Sequence, residues 1–395
     1  MILYQCKPWR HLHGPGCQAS QKAWLNRSEP DDKSPDVGSD ASQEAPAATL
    51  HSVCRPGDRS LLLGELGRVF PSSTHRALDE NWIESELFGE DAEGTPSLAL
   101  AQQCVPDAIR IRQPSIAKLA QSISPRLVDA LAEHDGPWRL HAYCVEHPEG
   151  ELRRVRCERV AERVLDFLHK KQRRLERTQV KKHADTFEPD EALVQLALVQ
   201  PDLALLAVTL PGERHRLRRC LSRWPGGLAP VDDDRAPPSR AYRKLIEAEA
   251  HLGKAIDIGD RVVDLGAAPG GWSHVALSRG AMVTAVDRSP LDEIVMAHDS
   301  LDFHQGDGFA YEPEYPPVDW LLCDLIAYPE RTVELVQRWA DRGLCRNFVV
   351  TVKFQGEDEY PRLEQLKAIL EGTRFEFELR RLFYNRNEIT ALGTT

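Results

Sequence analysis

The run Val262-Val263-Asp264-Leu265, followed by Gly266-Ala267-Ala268-Pro269-Gly270-Gly271-Trp272, constrains the fold of this chain more than any other stretch. An apolar run closes on a carboxylate, a glycine-rich turn follows, and His274-Val275-Ala276-Leu277 opens a helical pattern. That order is strand, tight loop and helix N-terminus, the layout of a nucleotide cradle at the edge of a parallel sheet. Gly266 and Gly270 can take a positive φ without the steric cost of a Cβ, so the backbone can approach a ligand closely. A second apolar run, Met282-Val283-Thr284-Ala285-Val286, ends in Asp287, 23 residues beyond Asp264. At about that spacing a carboxylate grips ribose hydroxyls in Rossmann-like folds.

The type of nucleotide follows from what the loop lacks. No Gly-Lys-Ser/Thr follows it, so it is not a phosphate loop, and Pro269 interrupts the dinucleotide spacing of glycines. A carboxylate and a proline before two glycines suit a ligand with adenosine but no phosphates, and S-adenosylmethionine is the expected cofactor. Its expected contacts are Asp264, Gly266, Ala267, Ala268, Pro269, Gly270, Gly271, Trp272 and Asp287. Asp307, in Gln305-Gly306-Asp307-Gly308-Phe309 after a third short strand, is expected to contact the adenine amine.

The C-terminal part alternates clearly. Strands are predicted at 261–265, 282–286, 318–323 and 346–352, and helices at 272–279, 330–341 and 359–371. Arg374 to Phe383 and Glu388 to Leu392 read as a closing β-hairpin, with an antiparallel edge strand last. Parallel strands joined by helices give a doubly wound α/β sheet with right-handed crossovers. Ligands of such sheets lie at the carboxyl ends of the strands, where Asp264, Asp287, Asp324 and Lys353 all fall.

Asp264-Leu265-Gly266-Ala267-Ala268-Pro269-Gly270-Gly271-Trp272 resembles motif I of the FtsJ/RrmJ-type methyltransferases, which methylate ribose 2′-hydroxyls of RNA. Those enzymes carry a Lys-Asp-Lys-Glu tetrad, which the resemblance places on Lys244, Asp324, Lys353 and Glu388, with Asp324 also near the cofactor. Pro238-Ser239-Arg240-Ala241-Tyr242-Arg243-Lys244-Leu245-Ile246-Glu247-Ala248, Cys323-Asp324, Val352-Lys353 and Asn385-Arg386-Asn387-Glu388-Ile389-Thr390 are similar to one branch of the family. That branch 2′-O-methylates a cytidine of bacterial 23S rRNA, and Cys54-Arg55-Pro56-Gly57 matches its start. The resemblance is specific across about 225–395, thin from 58 to 224 and absent before 49. Ala267-Ala268 stands where the branch has a cysteine-containing loop.

The implied chemistry is consistent with the side chains. A ribose 2′-hydroxyl must lose its proton as it attacks a sulfonium methyl, and a neutral lysine suits that task better than a carboxylate. Free lysine titrates near ~10.4, so a lysine base must be lowered by burial or a neighbouring cation. Lys353 is therefore expected as general base, its pKa lowered by Lys244, with Asp324 and Glu388 orienting both amines. No metal is expected.

Three regions follow: 1–48 as a disordered extension, 49–224 as an α/β region, and 225–395 as the Rossmann-like methyltransferase domain. The resemblance implies a THUMP-like RNA-binding module in the middle region. Ile116, Leu119, Ile123, Leu127 and Leu131 recur at helical spacing there, and Leu140–Val145 and Leu203–Val208 read as strands. Trp224-Pro225-Gly226-Gly227 reads as a linker. A net charge of −11 argues against a generic nucleic-acid binder, yet residues 151–223 hold 17 Lys/Arg against 11 Asp/Glu. Arg153-Arg154-Val155-Arg156, Lys170-Lys171-Gln172-Arg173-Arg174, Lys181-Lys182 and Arg214-His215-Arg216-Leu217-Arg218-Arg219 carry most of it. With Val160, Val164, Phe167 and Leu175 on the other face, the first part reads as one amphipathic helix offering cations to RNA phosphates. Cys6, His11, His13 and Cys17 have zinc-like spacing, but no core-forming residues surround them. Nine scattered cysteines and no membrane-length apolar run point to a cytoplasmic protein. The expected partner is RNA, 23S rRNA or a large-subunit precursor. The alternatives are a ribose methyltransferase for tRNA or another rRNA site, and a non-catalytic RNA-binding protein that keeps the fold.

Overall fold

The computed structural model describes residues 45–94, 96–145, 150–181, 188–217, 220–354 and 360–395. Nearly all of the N-terminal extension, with its Cys6, His11, His13 and Cys17, falls outside them, as do Lys182, Arg218 and Arg219. Residues 47–395 form one compact unit built on three sheets.

The first sheet comes from β1 (Ala48–Val53), α1 (Arg59–Val69), β2 (Thr74–Ala77), β3 (Trp82–Leu87), α2 (Glu90–Glu93) and β4 (Gln103–Pro106). Its strands run antiparallel in the order β2-β3-β1-β4. The second comes from β5 (Ile109–Arg112), α3 (Ile116–Ala130), β6 (Trp138–Tyr143), α4 (Gly150–Lys171), α5 (Arg173–Thr178), β7 (Ala192–Gln200), β8 (Leu203–Thr209) and α6 (Pro211–Leu217). Its order is β5-β8-β7-β6, with only β6 and β7 parallel. Ser115 caps α3 by accepting from the Lys118 amide, and Leu119, Ile123 and Leu127 bury the stripe expected from their spacing. Val53, Trp82 and Val105 of the first sheet share an apolar cluster with Tyr143, Ala197 and Leu205 of the second.

Two expectations change here. The predicted single basic helix is two, α4 and α5, broken at Gln172, and Phe167 lies on the exposed side while Val160, Val164 and Leu175 are buried. The Trp224–Gly227 linker is a packed joint rather than a free connection. Gly226 and Gly227 are buried, and the Gln103 amide donates to the carbonyls of Ser222 and Trp224, both at 3.1 Å.

The third sheet is built from α7 (Tyr242–Leu252), β9 (Arg261–Leu265), α8 (Gly271–Ser278), β10 (Met282–Asp287), α9 (Glu293–Met296), β11 (Leu301–Gln305), β12 (Val318–Cys323), α10 (Pro329–Asp341), β13 (Cys345–Lys353), α11 (Tyr360–Glu371), β14 (Glu376–Arg380) and β15 (Glu388–Thr394). Its order is β11-β10-β9-β12-β13-β15-β14. The five strands from β11 to β13 are parallel, and β15 runs against both β13 and β14. The chain's last strand is thus not the edge. It inserts between β13 and β14, because Ile389, Ala391 and Leu392 are fully buried and need cover that an edge would not give. Successive strands step outward in one direction from β9 and in the other from β12. The switch point, where doubly wound sheets bind ligands, therefore lies at the carboxyl ends of β9 and β12.

Candidate active site

Four elements bring two lysines and two carboxylates together at that switch point. Lys244 projects from α7, Asp324 directly follows β12, Lys353 ends β13 and Glu388 begins β15. The antiparallel register makes Lys353 and Glu388 direct partners across the ladder. Lys244 Nζ donates to Asp324 Oδ2 at 2.7 Å and to Glu388 Oε1 at 2.9 Å. Lys353 Nζ donates to Asp324 Oδ1 at 2.5 Å and also to Glu388 Oε2. Each amine therefore bridges both carboxylates, and all four side chains are between 5 and 17% exposed. Thr351, absent from the sequence expectations, donates to Asp324 Oδ1 at 2.6 Å.

The protonation of this cluster differs from expectation. Burial works to lower the pKa of Lys353, but the charges of Asp324 and Glu388 and their hydrogen bonds outweigh it, holding the ammonium above its ordinary value. Burial also opposes ionisation of Asp324 and Glu388, yet the two lysine cations keep both carboxyls below their usual range. The expected lowering of Lys353 by Lys244 does not occur in the resting site, because the carboxylates between the amines dominate.

The glycine turn lies beside the cluster. Gly266 and Gly270 take φ of +78° and +108°. A Cβ at Gly266 would meet Leu325 at 2.7 Å, and one at Gly271 would meet Ser239 Oγ at 2.4 Å. At these two positions the cradle has no room for a side chain, and Ser239 of the Pro-Ser-Arg segment packs directly on it. Asp264 is fully buried, accepts from Ser273 Oγ at 2.7 Å, and burial, with Asp324 and Asp287 nearby, pushes it up to about 7. Asp287 closes β10, accepting from the Ala268 amide at 3.1 Å and the Ser289 amide at 2.9 Å. Each of its oxygens keeps a lone pair for a further donor, as two vicinal ribose hydroxyls require. Cradle and carboxylate thus fit an adenosine moiety such as that of S-adenosylmethionine.

Other expected contacts are placed differently. Trp272 faces the core: it is 3% exposed and its indole donates to the Ala241 carbonyl at 2.7 Å, tying α8 to α7. The Ala267 side chain is buried in the same cluster, whereas Ala268 and Pro269 remain accessible. Asp307 does not present a free carboxylate. It accepts from the Phe309 amide at 3.0 Å and from Arg288 at 2.9 Å, with Arg331 at 3.6 Å stacked over Phe309. An adenine amine would have to share those oxygens with two guanidinium groups.

Residues 237–366 match the model of the FtsJ-like methyltransferase family. That span includes the cradle, Lys244, Asp324 and Lys353. The matched span is similar to an FtsJ-like methyltransferase domain. A relative in Thauera aminoaromatica named ribosomal RNA large subunit methyltransferase M is 33% identical over 202 residues, 48% of this chain and 53% of that protein. The protein of the same name in Pseudomonas savastanoi pv. phaseolicola is 35% identical over 179 residues, 42% of this chain and 50% of its own length. The chain spans about half the length of these curated relatives. The structure of TrmN from Thermus thermophilus aligns over 88% of this chain and all of its own, but at 20% identity and a TM-score of 0.33 the overlap carries no argument.

The third sheet continues beyond the matched span, through the turn that precedes Glu388. Glu247, one turn after Lys244 on α7, accepts from the Phe383 amide at 2.7 Å and the Tyr384 amide at 3.1 Å. It is 1% exposed, and burial raises its carboxyl to about 7 despite both bonds. One helix face thus supplies both Lys244 to the cluster and a support for the loop bearing Glu388. The signal for Glu247 was its place three residues after Lys244. No group of His, Cys, Asp and Glu among the described residues could hold a metal, and no helix there is long and apolar enough to cross a membrane.

Proposed function

We propose that this protein transfers a methyl group from S-adenosylmethionine to a ribose 2′-hydroxyl of RNA, and that the target is a cytidine of 23S rRNA. The pairing of both lysines with both carboxylates beside the cradle carries the reading. Bound S-adenosylmethionine would supply an electrophilic methyl. Asp287 would hold its ribose, with the Gly266–Gly271 backbone against the rest.

Lys353 takes the hydroxyl proton, while Lys244, Asp324 and Glu388 fix its position. In the resting cluster Lys353 is an ammonium. A substrate hydroxyl that occupies one of its hydrogen-bond positions displaces a carboxylate oxygen, and the weaker ion pairing that results lowers its pKa toward that of a usable base. The N-terminal α/β region, read as THUMP-like, would present RNA to the site. The names of the two relatives support the choice of large-subunit rRNA. Ribose-methylation mapping of total RNA from cells lacking the gene tests the proposal. Loss of one 2′-O-methylcytidine in 23S rRNA is expected. Loss at a tRNA or another rRNA nucleotide would move the substrate, and an unchanged map would favour a non-catalytic RNA-binding role.

A further inference from the structure

The segment Cys54–Asp58 bonds the turn that leads into Glu388. Arg55 donates to the carbonyls of Leu382 at 3.2 Å and Asn385 at 2.5 Å. Asp58 pairs with Arg381 at 2.6 Å, and Arg381 donates in turn to the Arg386 carbonyl at 2.9 Å. The Arg381 amide donates to the Ala99 carbonyl at 2.7 Å, and Arg380 reaches the Gln102 carbonyl at 3.3 Å. From the other side Glu247 takes the amides of Phe383 and Tyr384, while the Asn385 side chain bonds the Leu382 amide at 2.8 Å and Thr390 at 3.0 Å. The turn is thus gripped by its carbonyls from the N-terminal region and by its amides from α7. Its last bond is the Arg386 amide to Glu388 Oε1 at 3.3 Å.

A carboxylate that must stay on two lysines gains its precision from such a frame, since an error of about 1 Å in a catalytic constellation costs on the order of 100-fold in rate. We propose that Arg55 is a positioning residue: by holding the 382–385 turn it keeps Glu388 on Lys353 and Lys244, so that the N-terminal region helps to assemble the proton-accepting site as well as to bind RNA. The inference rests on the reading of Lys353 as the base.

The test compares the parent with Arg55→Met and Arg55→Lys in two measurements. The first is single-turnover methyl transfer to deproteinised 23S rRNA, with affinities for S-adenosylmethionine and RNA determined separately. The second needs no activity: the pH dependence of Lys353 acetylation by acetic anhydride, read by mass spectrometry. Lys353 is faced by Asp324, Glu388 and Lys244, with Asp264 and Cys323 behind Asp324 and with Arg381 and Arg55 beyond the turn. Loss of the Arg55 charge alone would raise the Lys353 pKa, whereas slackening of Glu388 lowers it. The expected result for Arg55→Met is transfer slower by roughly 10- to 100-fold at parental affinities, with Lys353 titrating at lower pH. Arg55→Lys, which keeps the charge and can still donate to carbonyls but ends in a compact ammonium instead of the planar guanidinium, should shift the same way by less. An unchanged rate with unchanged titration, an upward shift, or loss of S-adenosylmethionine binding in both variants would overturn the proposal. A parent that transfers no methyl but shows the downward shift in its variants would overturn the functional reading and leave the clamp standing.

Discussion

Lys353 and Glu388 face each other across an antiparallel ladder, so their pairing is fixed by backbone register as well as by charge. Removing the amine should therefore leave the fold intact. Lys353→Met is expected to bind S-adenosylmethionine and RNA yet transfer methyl at least ~100-fold more slowly, the low end for loss of a general base. In the parent the rate should climb as pH rises toward the raised Lys353 pKa. Lys244→Met leaves two carboxylates to act on Lys353 alone, which raises that pKa further and moves the rising limb to higher pH; a pH–rate series on both proteins checks the sign. Asp287→Ala should weaken S-adenosylmethionine binding by roughly 1.5–3 kcal/mol in a calorimetric titration, the scale of a charge-assisted hydrogen bond. At this scale the sequence shows which groups are present but not what separates them. The tetrad residues were identifiable by motif, yet the direction of the Lys353 shift depends on carboxylates lying between the amines, which no spacing in the chain reveals. Trp272 was misplaced for a related reason: an aromatic beside a glycine loop reads as a ligand contact until its indole is seen to cap a neighbouring carbonyl.

The elements of the Rossmann-like sheet were legible because each buried strand is an apolar run closed by a polar residue, and the boundaries of β9 and β12 match the pattern residue for residue. Where the hairpin goes was not legible, since insertion of β15 between β13 and β14 is decided by burial on both faces and not by local sequence. The first sheet escaped notice for a different reason. Its β2 is four residues long and largely exposed, and β3 carries Glu84, whose buried carboxylate is satisfied by His51 at 3.2 Å and Arg110 at 2.9 Å. A charged strand whose charges are paired across the sheet carries no alternating apolar signal. The packed joint at Trp224–Gly227 offers a test at this scale. Gly227 has φ of +80°, and a Cβ there would meet the Gln102 carbonyl oxygen at 2.1 Å. Gly227→Ala should cost at least ~1–3 kcal/mol, the range for a strained backbone site, before the clash is counted. Gly64, exposed within α1 with nothing within 4 Å of its would-be Cβ, is the control. Gly64→Ala should stabilise by ~0.4–1 kcal/mol, and denaturant melts of the two variants should move in opposite directions.

For the whole molecule, the question is how a chain of net charge −11 would hold RNA. Much of the basic excess in the middle region is used internally. Arg153 pairs with Asp79 at 3.3 Å and reaches the Val199 carbonyl, Arg154 pairs with Glu158, and Arg159 pairs with Glu162 at 2.9 Å. Arg174, expected to meet phosphate, instead donates to the carbonyls of Leu131 and His134 at 2.7 and 2.5 Å and so holds α5 against the end of α3. Lys170, Lys171 and Arg173 remain exposed at the break between α4 and α5, with no ion pair to another described residue. A cation without a partner is the kind that can exchange a counterion for a phosphate. Each phosphate neutralised on a single strand adds about 0.7 to the magnitude of the slope of log affinity against log salt. Replacing Lys170, Lys171 and Arg173 together by Ala should therefore weaken RNA binding and flatten that slope by up to ~2 if all three touch phosphate. Arg174→Ala alone should lower the melting temperature and leave the slope where it was. Filter binding across a salt series, alongside S-adenosylmethionine titrations that should not change, separates the two. Equal slopes in the triple variant and the parent would return this end of α4 to an ordinary solvated surface and place the RNA path elsewhere on the molecule.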